Sequence, residues 1–171
     1  MTPAPERPPR RSALRGLAVH LLLGVERAPL WLRVAAPLLW AGAIWWLSSR
    51  PPGSRTTPNP LMDYLFNLGH AVLFGTLAGL VDLASRGARP WWAVGLAAGY
   101  GIVDELHQSL VPGRSPDPFD LVTDFAGALF VVSVARWVRG GERRGLTLAA
   151  CGLVLAFAGA ALATFGPSLL R

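Results

Sequence analysis

The sequence predicts an all-α, polytopic transmembrane bundle, and three observations carry that prediction. Hydrophobic residues make up 52% of the chain and charged residues only 15%, against about 25% charged in ordinary soluble domains. The hydrophobic residues fall in blocks of roughly the length that a helix rising ~1.5 Å per residue needs to cross a ~30 Å hydrocarbon core. The arginines lie between those blocks or at their edges, where membrane topology accounts for them. With 171 residues and no second block of different composition, a single domain is expected.

Five spans follow in order. Residues 31–49 form the first, with Trp31, Trp45 and Trp46 placed as interfacial belt residues. Residues 64–84, 90–110 and 120–138 form the next three, and 146–165 the fifth, which contains no charged residue. Together they put the bundle at residues 29–166. Gly75 and Gly79 in the second span stand four apart, as do Gly95 and Gly99 in the third. That spacing lets backbones approach, so these two helices are expected to pack through their glycines.

Residues 1–28 read as an Arg/Pro-rich cytoplasmic tail, "MTPAPERPPRR", followed by a short interfacial segment, "ALRGLAVHLLLGV". The segment is too short to span, and a cleaved signal peptide is the alternative for it. His20, within it, is given no chemical role. All sixteen basic residues are arginine. With the N-terminus inside, only Arg50, Arg55, Arg114 and Arg171 fall outside, which favours an N-in, C-out topology. The same spread along the chain argues against a nucleic-acid partner despite the net charge of +6. Cys151 is the lone cysteine, so no intramolecular disulfide can form. A multi-pass protein of the bacterial inner membrane is expected, with membrane lipids as its immediate partners.

Two of the spans are too short to cross on apolar residues alone. Fourteen uncharged residues separate Arg89 from Asp104, and eleven separate Asp124 from Arg136. These are worth about 21 Å and about 16 Å of helix. The third span must therefore take in Asp104, Glu105, His107 and Gln108 at its end, and the fourth Asp120 and Asp124 at its start. The second opens with Asp63, Asn67 and His70, which share a narrow arc at ~100° per residue. Asp104, His107 and Gln108 are read as sharing a face, with Glu105 on its flank. The loop "VPGRSPDPF" adds Arg114 among three prolines that limit its mobility. All of these converge on one layer in the outer half of the membrane.

A carboxylate at the centre of a span costs about 2.5–3.5 kcal/mol, and less toward an interface. Partners must offset that, and Arg114 and His70 are the expected partners of Asp104 and Glu105. Plainer readings stand beside the functional ones. Asp120 reads equally as a helix N-cap, Asp63 as a solvated interfacial residue, and Asn67 as an interhelical hydrogen bond. Asp82 reads as a headgroup-level residue near Arg86 or Arg89.

"GIVDELHQSLVPGRSPDPFDLVTDFAGALF" and "FNLGHAVLFGTLAGL" resemble the VanZ-like family. Its members carry an Asp-Glu-x-x-Gln run, a Pro-Gly-Arg loop, and then a helix opening Asp-x-x-x-Asn with Gly three residues on. Here these are Asp104, Glu105 and Gln108, then Pro112, Gly113 and Arg114, then Asp120, Asp124 and Gly127. His70 matches the histidine of the family's other element. The resemblance covers about residues 62–140 and departs twice. Asp124 stands where the family usually has Asn, and Phe66-Asn67 replace a frequent Asp-Lys pair. The resemblance implies a cell-envelope membrane protein, the family being named for one linked to low-level resistance to teicoplanin, a lipid-bearing glycopeptide.

Four residues are candidate catalytic groups: His70, Asp104, Glu105 and Gln108. Asn67, His107, Arg114, Asp120 and Asp124 are candidate ligand-binding groups. Such a set could exchange protons with a lipid or envelope-glycan headgroup, or hold a glycopeptide antibiotic, with Arg114 on a phosphate or carboxylate. The alternatives are a proton-coupled small-solute transporter, which without an inverted repeat would have to oligomerise, and a polar clasp without chemistry. No cofactor is expected. A divalent ion on His70, Asp104, Glu105, Asp124 and His107 is the lesser alternative, because the ligand types suit it but no His-Glu-x-x-His spacing is present.

Overall fold

The structure, a computed structural model, describes residues 13–51, 59–141 and 143–169. Readings that rest on residues 1–12, Arg55 and Arg171 lie outside the described residues. Among the described residues six helices follow one another: α1 (Ala13–Glu26), α2 (Leu30–Ser48), α3 (Pro60–Ala84), α4 (Pro90–Gln108), α5 (Pro118–Gly140) and α6 (Arg143–Leu169). Helices α2 to α6 fall on the five stretches read as spans, and α1 is the short segment ahead of them. By length and apolar character α2, α3, α5 and α6 can each cross a membrane. Helix α4 has 19 residues but is not among them, because its polar last turns lower its hydropathy. This is the deficit that the count of uncharged residues exposes.

Proline opens three of these helices. Pro60, Pro90 and Pro118 each sit in a first turn, where the missing N–H forfeits no helical bond. Asn59 caps α3 by accepting from the Met62 N–H at 3.2 Å. Asp117 caps α5 by accepting from the Phe119 N–H at 2.9 Å. Asp120 is therefore a first-turn residue and not the cap, a correction to one of its two readings. The far end of α5 stops at Gly141, whose φ of 76° is open to glycine.

Helix α5 is the centre of the bundle, and small residues let its neighbours close on it. A Cβ on Gly127 would collide with the Ala71 carbonyl of α3. Gly75 and Gly79 meet Gly127 and Val131 of α5, whereas Gly95 and Gly99 of α4 face open space. The expected glycine contact between α3 and α4 is thus corrected to one between α3 and α5. Four-residue spacing marks a flat face but carries nothing about which neighbour covers it. On α6, Gly145, Gly152, Gly159 and Gly166 recur every seven residues and meet α5 at Trp137, Phe130, Thr123 and Phe119 in turn. A seven-residue period holds one face of a helix against its partner over its whole length.

Ile44, Phe74, Leu77, Val94 and Val132 fill the apolar interior. Outside, large apolar side chains stay uncovered: Leu38 is 67%, Leu39 75% and Val154 67% exposed. A perimeter of that kind suits contact with lipid tails.

One end of the bundle is closed by an ion-pair cluster. Asp82 is completely buried and its Oδ2 lies 2.6 Å from Arg139 Nη1 of α5. Arg139 Nε also donates to Glu26 Oε1 of α1 at 2.9 Å, and Arg15 Nε donates to the Val138 carbonyl at 3.2 Å. These bonds fasten α1 to the bundle. The reading of Asp82 as a headgroup-level residue beside Arg86 or Arg89 is corrected: it faces inward, to an arginine 57 positions away.

Candidate functional site

At the opposite end, helix ends from α2, α3, α4 and α5 meet. Asp120 and Asp124 are one turn apart on α5 and so point the same way. Both face His70 of α3. His70 Nδ1 lies 3.1 Å from Asp124 Oδ1, and Nε2 lies 3.8 Å from Asp120 Oδ2. Glu105 arrives from the last turn of α4, and its Oε2 accepts the Asp117 N–H at 2.8 Å. That bond ties the end of α4 to the cap of α5. His70, Glu105 and Asp120 then offer donor atoms all within 4.8 Å of one another. Gly101, one turn before Glu105, makes room for this: a Cβ there would stand 2.6 Å from Asp124 Oδ2. Glu105, Asp120 and Asp124 are only 6%, 9% and 1% exposed. Each keeps one buried oxygen with no hydrogen-bond partner, Glu105 Oε1, Asp120 Oδ1 and Asp124 Oδ2.

Asp104 belongs to a second, separate network. Its Oδ1 accepts from Ser48 Oγ at 2.5 Å and its Oδ2 from Gln108 Nε2 at 2.8 Å. Gln108 Oε1 in turn accepts from Arg114 Nη1 at 2.9 Å, and Arg114 Nε donates to the Arg50 carbonyl at 3.0 Å. The chain of bonds joins α2, α4 and the following loop. Arg114 and His70 were the expected partners of Asp104 and Glu105. Instead Arg114 takes Gln108 and a backbone oxygen, while His70 takes the two acids of α5.

Two further candidates leave the cluster. His107 stacks on Trp45 with ring centroids 3.7 Å apart, and its Nε2 lies 2.9 Å from Ser49 Oγ. The shared face with Asp104 and Gln108 is corrected accordingly. At ~100° per residue His107 sits about 100° from Gln108, whereas Asp104 and Glu105 lie on either side of Gln108 and turn inward with it. Asn67 Nδ2 donates to Thr164 Oγ1 of α6 at 2.9 Å, which is the interhelical bond of its plainer reading.

A pocket of about 920 Å³ opens over both networks, near the upper end of the usual range for small-molecule sites. Its polar wall includes His70, Asp104, Gln108, Arg114, Asp117 and Asp120; its apolar wall includes Leu65, Phe66, Leu73 and Phe74. Four contributors escaped the sequence reading: Ser48, Gly101, Asp117 and Thr164. Asp117 had a signal, since Asp followed by Pro marks an N-cap and the first helical position. The others had none, because only the packing brings them to the site.

An all-helical membrane bundle that gathers acids and a histidine from three helices at one end is the class that fold and site define. The sequence profile of the VanZ/LLP1 family matches residues 30–139, and the chain belongs to that family. The match takes in α2, and so Ser48, as well as every candidate residue of both networks. No match to a curated protein or to a solved structure was found. The protein is a multi-pass membrane protein of this family.

Proposed function

We propose that the pocket receives an amphiphile of the cell envelope: a lipid headgroup, a lipid-linked glycan precursor or a lipid-bearing glycopeptide antibiotic. The observation that carries this reading is the two-sided lining of the pocket, polar beneath and apolar beside. A headgroup would meet His70, Asp117, Asp120 and Arg114, and a tail would run along Leu65, Phe66 and Leu73. The arginine distribution supports an N-in topology and, with it, a pocket at the outer face of the inner membrane. There, retention or exclusion of a glycopeptide would give resistance without turnover. Arg114, held in place by Gln108 and the Arg50 carbonyl, is the group suited to a phosphate or carboxylate.

A clasp without chemistry accounts well for Asp104 and Gln108, whose polar atoms are partnered. It accounts less well for Glu105 and Asp120, buried acids with an oxygen left over and, among the described residues, no arginine ion-paired to either. A proton-coupled transporter would respond to an imposed proton gradient, and a binder would not.

Native mass spectrometry of the purified protein tests the reading, with envelope lipids and a lipid-bearing glycopeptide as probes. Wild type should retain one of them. Arg114→Ala should bind it about 10-fold or more weakly, the value of a charge-assisted hydrogen bond. Equal retention by wild type, Arg114→Ala and Glu105→Gln, all folded, would sink the proposal.

A further inference from the structure

We infer that His70, Glu105 and Asp120 form a divalent transition-metal site, with Asp124 positioning the histidine. The inference stands on the geometry of the side chains and does not rest on the pocket's taking a headgroup.

The donor set comes first. One imidazole nitrogen and two carboxylates place donor atoms within 4.8 Å of one another, and His70 Nε2 is already 3.8 Å from Asp120 Oδ2. An ion about 2.0–2.2 Å from each ligand holds neighbouring ligand atoms roughly 3–3.5 Å apart. Rotations of the side chains that close the gaps by about an ångström would complete the site.

The histidine is set up to ligate. Its Nδ1 is engaged by Asp124 Oδ1 at 3.1 Å; in the neutral tautomer that donates Nδ1–H to that carboxylate, Nε2 carries the lone pair. A carboxylate behind the non-ligating nitrogen is the usual support of a metal-bound histidine. In that tautomer Nε2 and Asp120 Oδ2 meet as acceptor toward acceptor. At 3.8 Å from Asp120 it is also too far for a hydrogen bond in the other tautomer. A cation is what three converging lone-pair donors fit.

The donor side chains also carry buried oxygens without a hydrogen-bond partner. Glu105 and Asp120 are 6% and 9% exposed, yet Glu105 Oε1 and Asp120 Oδ1 have no hydrogen-bond partner. A buried carboxylate oxygen without a partner is costly, and an ion would supply one to each side chain. Among the described residues no arginine is ion-paired with either acid, the printed bonds of Arg114 going to Gln108 and the Arg50 carbonyl. Mixed imidazole and carboxylate donors suit Mn²⁺, Fe²⁺ or Zn²⁺ better than Mg²⁺ or Ca²⁺. His70 and Asp120 line the pocket, so the remaining coordination positions face it and can take water or an anionic oxygen. Relative to the set weighed from sequence, Asp120 replaces Asp104 and His107, and Asp124 moves behind the histidine.

The test uses the full chain, carrying an affinity tag without histidines, in nanodiscs free of added envelope ligand. After stripping with a chelator, Zn²⁺ is titrated by calorimetry and Mn²⁺ by electron paramagnetic resonance. Wild type should take up about one ion per chain and unfold at a higher temperature with the ion than with chelator. His70→Ala and Glu105→Gln should abolish that uptake, and Asp124→Asn should weaken it about 10–100-fold. Asp63→Asn, in the pocket but outside the donor set, should bind as wild type does. Nitrogen hyperfine coupling on bound Mn²⁺ in wild type reports the imidazole ligand even if a variant fails to fold. The absence of stoichiometric uptake, uptake that survives both His70→Ala and Glu105→Gln, or bound Mn²⁺ without nitrogen coupling would overturn the site. None of these outcomes depends on lipid retention, so the two proposals fail separately.

Discussion

At one end of the bundle Asp82 and Glu26 share the guanidinium of Arg139, at 2.6 Å and 2.9 Å. At the other, Glu105, Asp120 and Asp124 surround a single histidine, with a separate hydrogen-bonded network on Asp104 beside them. The first end matches two acids to a group that is always charged, and its partners come from α1, α3 and α5. It is built to hold helices together. The second gathers three acids about a group that carries charge only when protonated, and leaves an oxygen of each acid unsatisfied. Burial alone therefore does not separate a fastening from a site. Charge balance does: Asp82 Oδ1 and Arg139 Nη2 also lack a hydrogen-bond partner, but the Arg139 cluster sets a permanent cation between its two acids, and among the described residues the three acids of the His70 cluster have no arginine ion-paired to them.

That contrast can be broken first at the Arg139 end, where the largest effect is expected. Arg139→Leu strands two acids and should cost about 3–5 kcal/mol of stability, as removal of one partner of a buried pair does. Adding Asp82→Leu should recover most of the loss, as read by thermal unfolding in detergent. A single variant as stable as wild type would mean that this cluster fastens nothing. Next comes the central contact: Gly127→Ala places a methyl against the Ala71 carbonyl and should cost about 1–3 kcal/mol by forcing α3 from α5. The smallest effects sharpen the distinction within the polar end. Ser48→Ala, which removes a donor to Asp104, should cost about 1 kcal/mol and leave ion uptake intact. Glu105→Gln should leave stability unchanged or slightly higher, since it discharges a buried acid, while ion uptake disappears. The reverse pattern would exchange the roles of the two networks.

The sequence announced the spans because apolar blocks of membrane length are a one-dimensional signal. It also announced the gathering of acids, since fourteen and eleven uncharged residues cannot cross a bilayer and the polar residues had to be enclosed. Partner choice lay beyond it. Asp82 meets Arg139 across 57 positions, and no local pattern singles out that arginine from Arg86 or Arg89. His107 was misplaced because the inward arc of α4 centres on Gln108, and only contact with α5 fixes that centre. The four-residue glycine spacing of α4 looked like that of α3, yet a Cβ on Gly95 or Gly99 would meet open space while the glycines of α6, seven apart, form a long contact.

Those sevenfold glycines also constrain how the protein can move. With Gly145, Gly152, Gly159 and Gly166 each set against a side chain or backbone atom of α5, an axial slip of α6 regains its fit only after a full repeat, about 10 Å. Small pistoning of this pair is blocked, so α5 and α6 act as one rigid wall. Any opening that admits a guest must come from the other side, through tilting of α2 and α4, whose contact at the polar end is made by Ser48, Ser49, Trp45 and their partners rather than by backbone pressed on backbone.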